Sequence, residues 1–135
     1  MKVVLDTNVL IAALISNGVC SDVLEHCVQR HTLVGSEFIL SELRDHLANK
    51  FHYTSHETEV AINLLQSSME MVVPVVLEFT GCRDSDDVII LATAIAGNAE
   101  CIITGDKDLL VMQRFQTVMI LRPTEFTKYE AGKST

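Results

Sequence analysis

Apolar residues in this chain fall into short blocks whose spacing switches between two periods. Val3-Val4-Leu5 is β-branched and apolar, the look of a short buried strand. Thr32-Leu33-Val34, Cys101-Ile102-Ile103-Thr104 and Thr117–Leu121 predict further strands. Met71–Val76 predicts another, with Pro74 marking an edge or a bend. Between these blocks the spacing becomes helical. Ser21-Asp22 can cap a helix to about Arg30 that carries Val23, Leu24, Cys27 and Val28 on one face. Ser36 opens a second, with Ile39, Leu40, Leu43 and Leu47, ending near Asn49. Ser55–Thr58 starts a third, with Val60, Ala61, Leu64 and Leu65. Asp84–Asp87 is an acidic opening to the helix Val88–Ala96, which stops at Gly97-Asn98. Asn8–Ile15 and Lys107–Met112 predict shorter helices, and Pro123–Thr135 reads as a polar tail.

Short apolar strands alternating with helices predict an α/β fold with a parallel sheet and helices on both faces. Right-handed crossovers then bring the carboxyl ends of the strands to one edge, where doubly wound proteins place their ligands. The 135 residues fit a single domain, 1–135, with 123–135 as its tail.

Composition narrows the function. The chain is 48% hydrophobic, enough for a core and too much for a disordered or solvating segment. No apolar run approaches the roughly 20 residues that span a bilayer, and the charge at Asp6 interrupts the first run too early for a signal peptide. The expectation is a cytoplasmic protein with no membrane partner. Eighteen acidic against ten basic residues give a formal charge of −8. That balance argues against holding nucleic acid through a globally basic surface, and permits carboxylates gathered around a metal ion. Cys20, Cys27, Cys82 and Cys101 form no C-x-x-C pair and read as small apolar residues.

The acids fall at telling positions. Asp6 directly follows the first strand, and Asp106 comes two residues after Thr104, so both belong to the carboxyl edge of a parallel sheet. Asp87 opens a helix whose apolar residues Ile90, Leu91 and Ala94 lie at i+3, i+4 and i+7, which puts it on the buried side. Asp86 would point about 100° away. Glu42 borders the apolar stripe of its helix. Four carboxylates from four segments could therefore meet; unpaired they would raise one another's pKa values, and a divalent cation removes that penalty. Oxygen ligands suit Mg²⁺ or Mn²⁺, and the chemistry that follows is attack of water on a phosphodiester. Each acid also has a plainer reading. Asp84, Asp86, Asp87, Asp106 and Asp108 can cap helices or favour their dipoles, Glu42 can be solvated, and Asp6-Thr7-Asn8 can be a turn.

The stretches VVLDTNVLIAALIS (3–16), SEFILSEL (36–43), RDSDDVIILATAIAGNAECIITGDKDLL (83–110) and ILRPTEF (120–126) together resemble the PIN-domain ribonucleases. The likeness is closest to the toxin components of bacterial toxin–antitoxin pairs. It covers essentially the whole chain, with 49–81 the least distinctive part. The resemblance implies a three-layer α/β/α sandwich around a parallel sheet, and RNA cleavage with Mg²⁺ or Mn²⁺. It implies that Asp6, Glu42, Asp87 and Asp106 are the metal-holding acids. Thr7, Asn8, Asp84, Thr104 and Asp108 would support them.

The function expected on this basis is a metal-dependent endoribonuclease, held in check as a toxin by a cognate antitoxin protein. The alternative is a non-catalytic interaction module whose acids are helix caps. A phosphotransfer domain using Asp6 as nucleophile would want a second Asp two residues on, where this chain has Asn8. An acidic protein must meet RNA through local cations, for which Arg44, Lys50, Arg83, Lys107 and Arg114 are candidates. A homodimer could supply the same surface. The five histidines, His26, His31, His46, His52 and His56, read as surface or packing residues.

Overall fold

The computed structural model describes residues 1–78 and 81–133. The chain runs β1 (Lys2–Leu5), α1 (Thr7–Ile15), α2 (Val19–Arg30), β2 (Thr32–Gly35), α3 (Glu37–Asn49), α4 (Ser55–Ser67), β3 (Met69–Met71), α5 (Ser85–Ala96), β4 (Cys101–Ile103), α6 (Lys107–Leu110), β5 (Arg114–Phe115), β6 (Val118–Leu121) and α7 (Phe126–Lys133). Among the described residues the strands form one sheet in the order β3-β2-β1-β4-β6-β5. Every pairing is parallel except that of the edge strand β5, which runs antiparallel to β6.

The central strands are buried because both faces of the sheet are covered. Val3, Val4, Cys101, Ile102 and Ile103 have no solvent exposure, so an uninterrupted apolar run is the sequence such strands need. Helix α1 packs against α2 and α3, α3 packs against α4, and α5 packs on β1 and β2. Gly97 lets α5 end close on the sheet: a Cβ there would lie 2.4 Å from Val34 Cγ1. The chain leaves β1 toward β2 on one side and β4 on the other. The carboxyl ends of β1 and β4 therefore flank the point where strand order reverses.

Five elements differ from the sequence expectations. In place of the strand predicted over Met71–Val76, β3 covers Met69–Met71, pairs with β2 along those three residues and ends there; Val72 N–H adds one bond to the Gly35 carbonyl at 2.9 Å. Pro74 cannot continue the ladder, and Val73 and Val76 stand almost fully exposed. On α4 the buried residues are Thr58, Ile62 and Leu65, whereas Val60 and Leu64, assigned to the apolar face, are open to solvent. The predicted polar tail contains a 3₁₀ turn at Pro123–Glu125 and then α7; Phe126, 2% exposed, anchors it in the core. Residues 134–135 of that tail lie outside the described residues. The short strand β5 was not predicted. Helix α2 begins at Val19, with Gly18 as N-cap, two residues before the Ser21-Asp22 cap expected.

Candidate metal centre

The site is built from strand ends and helix beginnings. The Asp6 N–H donates to the Ile103 carbonyl at 3.0 Å, extending the β1–β4 pairing and carrying Asp6 to the carboxyl edge of the sheet. Its Oδ1 accepts the Thr7 N–H at 2.7 Å, so the residue also caps α1. Oδ2 accepts from the Thr104 hydroxyl at 2.8 Å and from Asn8 Nδ2 at 3.0 Å. Asn8 Oδ1 takes the Gly105 N–H at 3.0 Å, and Thr104 Oγ1 takes the Asp106 N–H at 3.0 Å. Asp6 and Asp106 are thus positioned by one network joining the start of α1 to the loop after β4. Asp106 caps α6 by accepting the Asp108 N–H at 2.9 Å.

The other two acids arrive on helices. Asp87, 5% exposed, sits in the first turn of α5 above Ile90 and Leu91, and its Oδ2 is buried without a hydrogen-bond partner. Glu42 projects from α3 and accepts the Thr7 hydroxyl at 3.0 Å. Asp6, Glu42, Asp87 and Asp106 all line a single cleft of about 300 Å³. Asp84 and Asp86 line it too; Asp84 caps α5 by accepting the Asp86 N–H at 2.9 Å. Asp87, Asp106 and Asp108 each offer an oxygen within 4.8 Å of the other two. Asp108 is also held by Arg83 Nη2 at 2.7 Å.

Burial and the charges of neighbouring acids hold Asp87, Asp6 and Glu42 above their ordinary range. Burial pushes Asp87 up to about 7, with the charge of Asp106 next and the charges of Asp84 and Asp6 after it. Asp6 is raised by burial and by Asp106, against the hydrogen bonds from Thr104, Thr7 and Asn8. Glu42 is raised by burial and by the charges of Asp86 and Asp6, against the Thr7 hydrogen bond and His46.

Of the five cations proposed for RNA contact, Lys50 lines the cleft. Arg44 pairs with Glu59 at 2.9 Å, Arg83 with Asp108, and Arg114 donates to the Gln116 carbonyl at 2.9 Å. His46 and Phe51 also line the cleft, and neither was singled out in the sequence. The signal for His46 was available: Glu42, His46 and Lys50 follow one another at i+4 and share a face of α3. Asp86, set aside because it turns away from Asp87, reaches the cleft wall as well.

Residues 2–108 match the model of the PIN domain family. The chain belongs to the PIN-domain family. This PIN domain is 31% identical over 124 residues to the uncharacterized protein MJ1680 of Methanocaldococcus jannaschii, covering 84% of this chain and 76% of that protein. It shares its fold with VapBC2 from Rickettsia felis, solved bound to a DNA fragment from their promoter, at a TM-score of 0.65 and 17% identity. That match covers 90% of this chain and 98% of the other. VapBC-1 from nontypeable Haemophilus influenzae matches with a TM-score of 0.65 and 19% identity, over 92% and 99% of the two chains. The mostly parallel sheet with flanking helices is therefore the PIN fold. Among the described residues, no single helix is long and apolar enough to cross a membrane.

Proposed function

We propose that this PIN domain is a divalent-metal-dependent endoribonuclease, acting as the toxin of a toxin–antitoxin pair. The observation that carries the reading is the convergence of Asp6, Glu42, Asp87 and Asp106 on one cleft, with a buried Asp87 oxygen that has no hydrogen-bond partner. A polar atom left so is expensive unless something else ligates it. The donors are all oxygens, which fits Mg²⁺ or Mn²⁺ and not a soft metal.

Asp6, Asp87 and Asp106 would hold the ion, and Glu42 would hold a second ion or orient the attacking water. When bound, such an ion lowers the pKa of water, orients the phosphate and offsets charge on the leaving oxygen. The chain's own residues do the rest. Thr104 and Asn8 fix Asp6 Oδ2, so that acid keeps one orientation. The Thr7 hydroxyl donates to Glu42 and fixes that carboxyl toward the cleft, where it would orient the attacking water. Asp108 braces Asp106 through its backbone N–H and balances Arg83. Lys50 at the cleft wall offers one positive charge to a backbone phosphate.

The antitoxin follows from the sequence resemblance and from the solved VapBC structures of like fold. Val60 and Leu64, 53% and 68% exposed one turn apart on α4, supply apolar surface for such a partner. The deciding experiment is cleavage of RNA with Mg²⁺ or Mn²⁺, against the same reaction in EDTA. Cleavage by Asp6→Asn at the wild-type rate would end the assignment. Light scattering of the chain, alone and with the product of the neighbouring reading frame, separates an antitoxin complex from a homodimer.

A further inference from the structure

The opposite edge of the sheet carries a second group of ligating side chains. His26 lies on α2 and His31 immediately precedes β2, so both sit toward the amino ends of the strands. Glu130 reaches them from α7. His26 Nε2 lies 2.7 Å from Glu130 Oε2, and His31 Nε2 contacts the same oxygen. All three ligand atoms fall within 4.8 Å of one another.

The rings are held where they are by packing. His26 and His31 meet edge to face at 5.5 Å, and both pack against the buried Phe126 ring, at 6.4 and 5.7 Å. Two imidazoles and a carboxylate are thus preorganised by apolar contacts. A solvent-connected cavity of about 540 Å³ opens beside His26 and Glu130. Asp22, one turn before His26 on α2, lines the same cavity. Phe126 is the buried residue of α7, while Tyr129 packs half-buried against the core and Lys133 pairs with Glu100 at 3.8 Å.

We propose that His26, His31 and Glu130 form a Zn²⁺ site that clamps α7 to the corner between α2 and β2. The donor set separates it from the acidic cleft. Two imidazole nitrogens with one carboxylate favour Zn²⁺ over Mg²⁺, whereas the four converging acids of the cleft offer oxygen. The site is independent of the proposed nuclease function and does not share a residue with it.

The test uses the full chain in millimolar Mg²⁺, which occupies oxygen sites, titrated with Zn²⁺ and separately with Co²⁺. Wild type is expected to bind one equivalent of Zn²⁺, to gain about 5–10 °C in Tm at saturation, and to give the strong visible band of a four-coordinate Co²⁺ site. His26→Gln and Glu130→Gln, both at solvent-reachable side chains, are expected to weaken Zn²⁺ binding at least about tenfold and to bleach the Co²⁺ band. Asp6→Asn keeps the band. The proposal is overturned if the two Gln variants bind Zn²⁺ as wild type does, or if the band disappears in Asp6→Asn. Circular dichroism confirms that each variant is folded before it is scored.

Discussion

Replacing Asp87 by Asn should stabilise the metal-free protein near pH 8 while removing RNA cleavage. Burial and its acidic neighbours lift this carboxyl from 3.8 to about 7. At about 1.36 kcal/mol for each tenfold change in proton affinity, that rise sets a ceiling of about 4 kcal/mol. The sign follows from proton binding. The folded state holds this proton more tightly than the unfolded chain does, so the contribution is fully present below about pH 4 and is lost as pH rises through about 7. Water in the open cleft and the unmatched Asn amide reduce the gain at pH 8 to about 1–3 kcal/mol.

Asp6 and Glu42 are shifted in the same direction, so wild type without metal loses stability from mildly acid to mildly alkaline pH, and the variant loses less. Urea unfolding in EDTA at pH 5 and pH 8, with m-values compared, reads this directly. The variant's advantage should widen between the two pH values, and Mg²⁺ should then raise wild type more than the variant. An advantage equal at both pH values would refute the argument, because it would place the effect in packing and not in the buried charge.

Thr104→Val keeps the shape but removes the hydroxyl that donates to Asp6 and accepts from the Asp106 N–H; single-turnover RNA cleavage should fall about 10–100-fold with the fold retained. Lys50→Ala should weaken RNA binding uniformly across sequences and reduce the slope of log K against log salt by about 1, measured by fluorescence anisotropy. Gly97→Ala drives a methyl to within 2.4 Å of Val34 Cγ1 and should destabilise by about 1–3 kcal/mol in urea melts, with Val34→Ala recovering part of the loss.

The sheet and most helices were legible because strands covered on both faces must be apolar throughout, as Val3–Leu5 and Cys101–Ile103 are. Asp6 and Asp106 were legible for a related reason. An acid directly beyond a buried strand has few positions except the sheet edge. The face of α4 was misread because Val60 and Leu64 fit a helical stripe as well as Thr58, Ile62 and Leu65 do. Periodicity gives a stripe but does not say which of two is covered. Helix α7 escaped because its attachment rests on Phe126 and on the Glu130 contacts with His26 and His31, all far off in sequence. Phe51 at the cleft wall was hidden likewise, since it lies just beyond α3 and reaches the site through the path of the chain alone.

The acidity of the chain acquires a location. Six of the 18 acidic residues, Asp6, Glu42, Asp84, Asp86, Asp87 and Asp106, line one cleft, where Lys50 is the single fixed positive charge among the described residues. Such a cleft repels a phosphate backbone, and Asp87, Asp6 and Glu42 hold protons more tightly because of burial and of their acidic neighbours. A divalent ion would change both conditions together. It would displace those protons, and it would give the cleft the positive charge a phosphate can approach. On the proposed reading the cation is therefore required for substrate approach as well as for chemistry. An overall charge of −8 is then compatible with an RNA substrate, because attraction need not come from the global field of the protein. The same logic explains why Arg44, Arg83 and Arg114 can be committed to Glu59, Asp108 and the Gln116 carbonyl without stripping the cleft of its means to hold a phosphate.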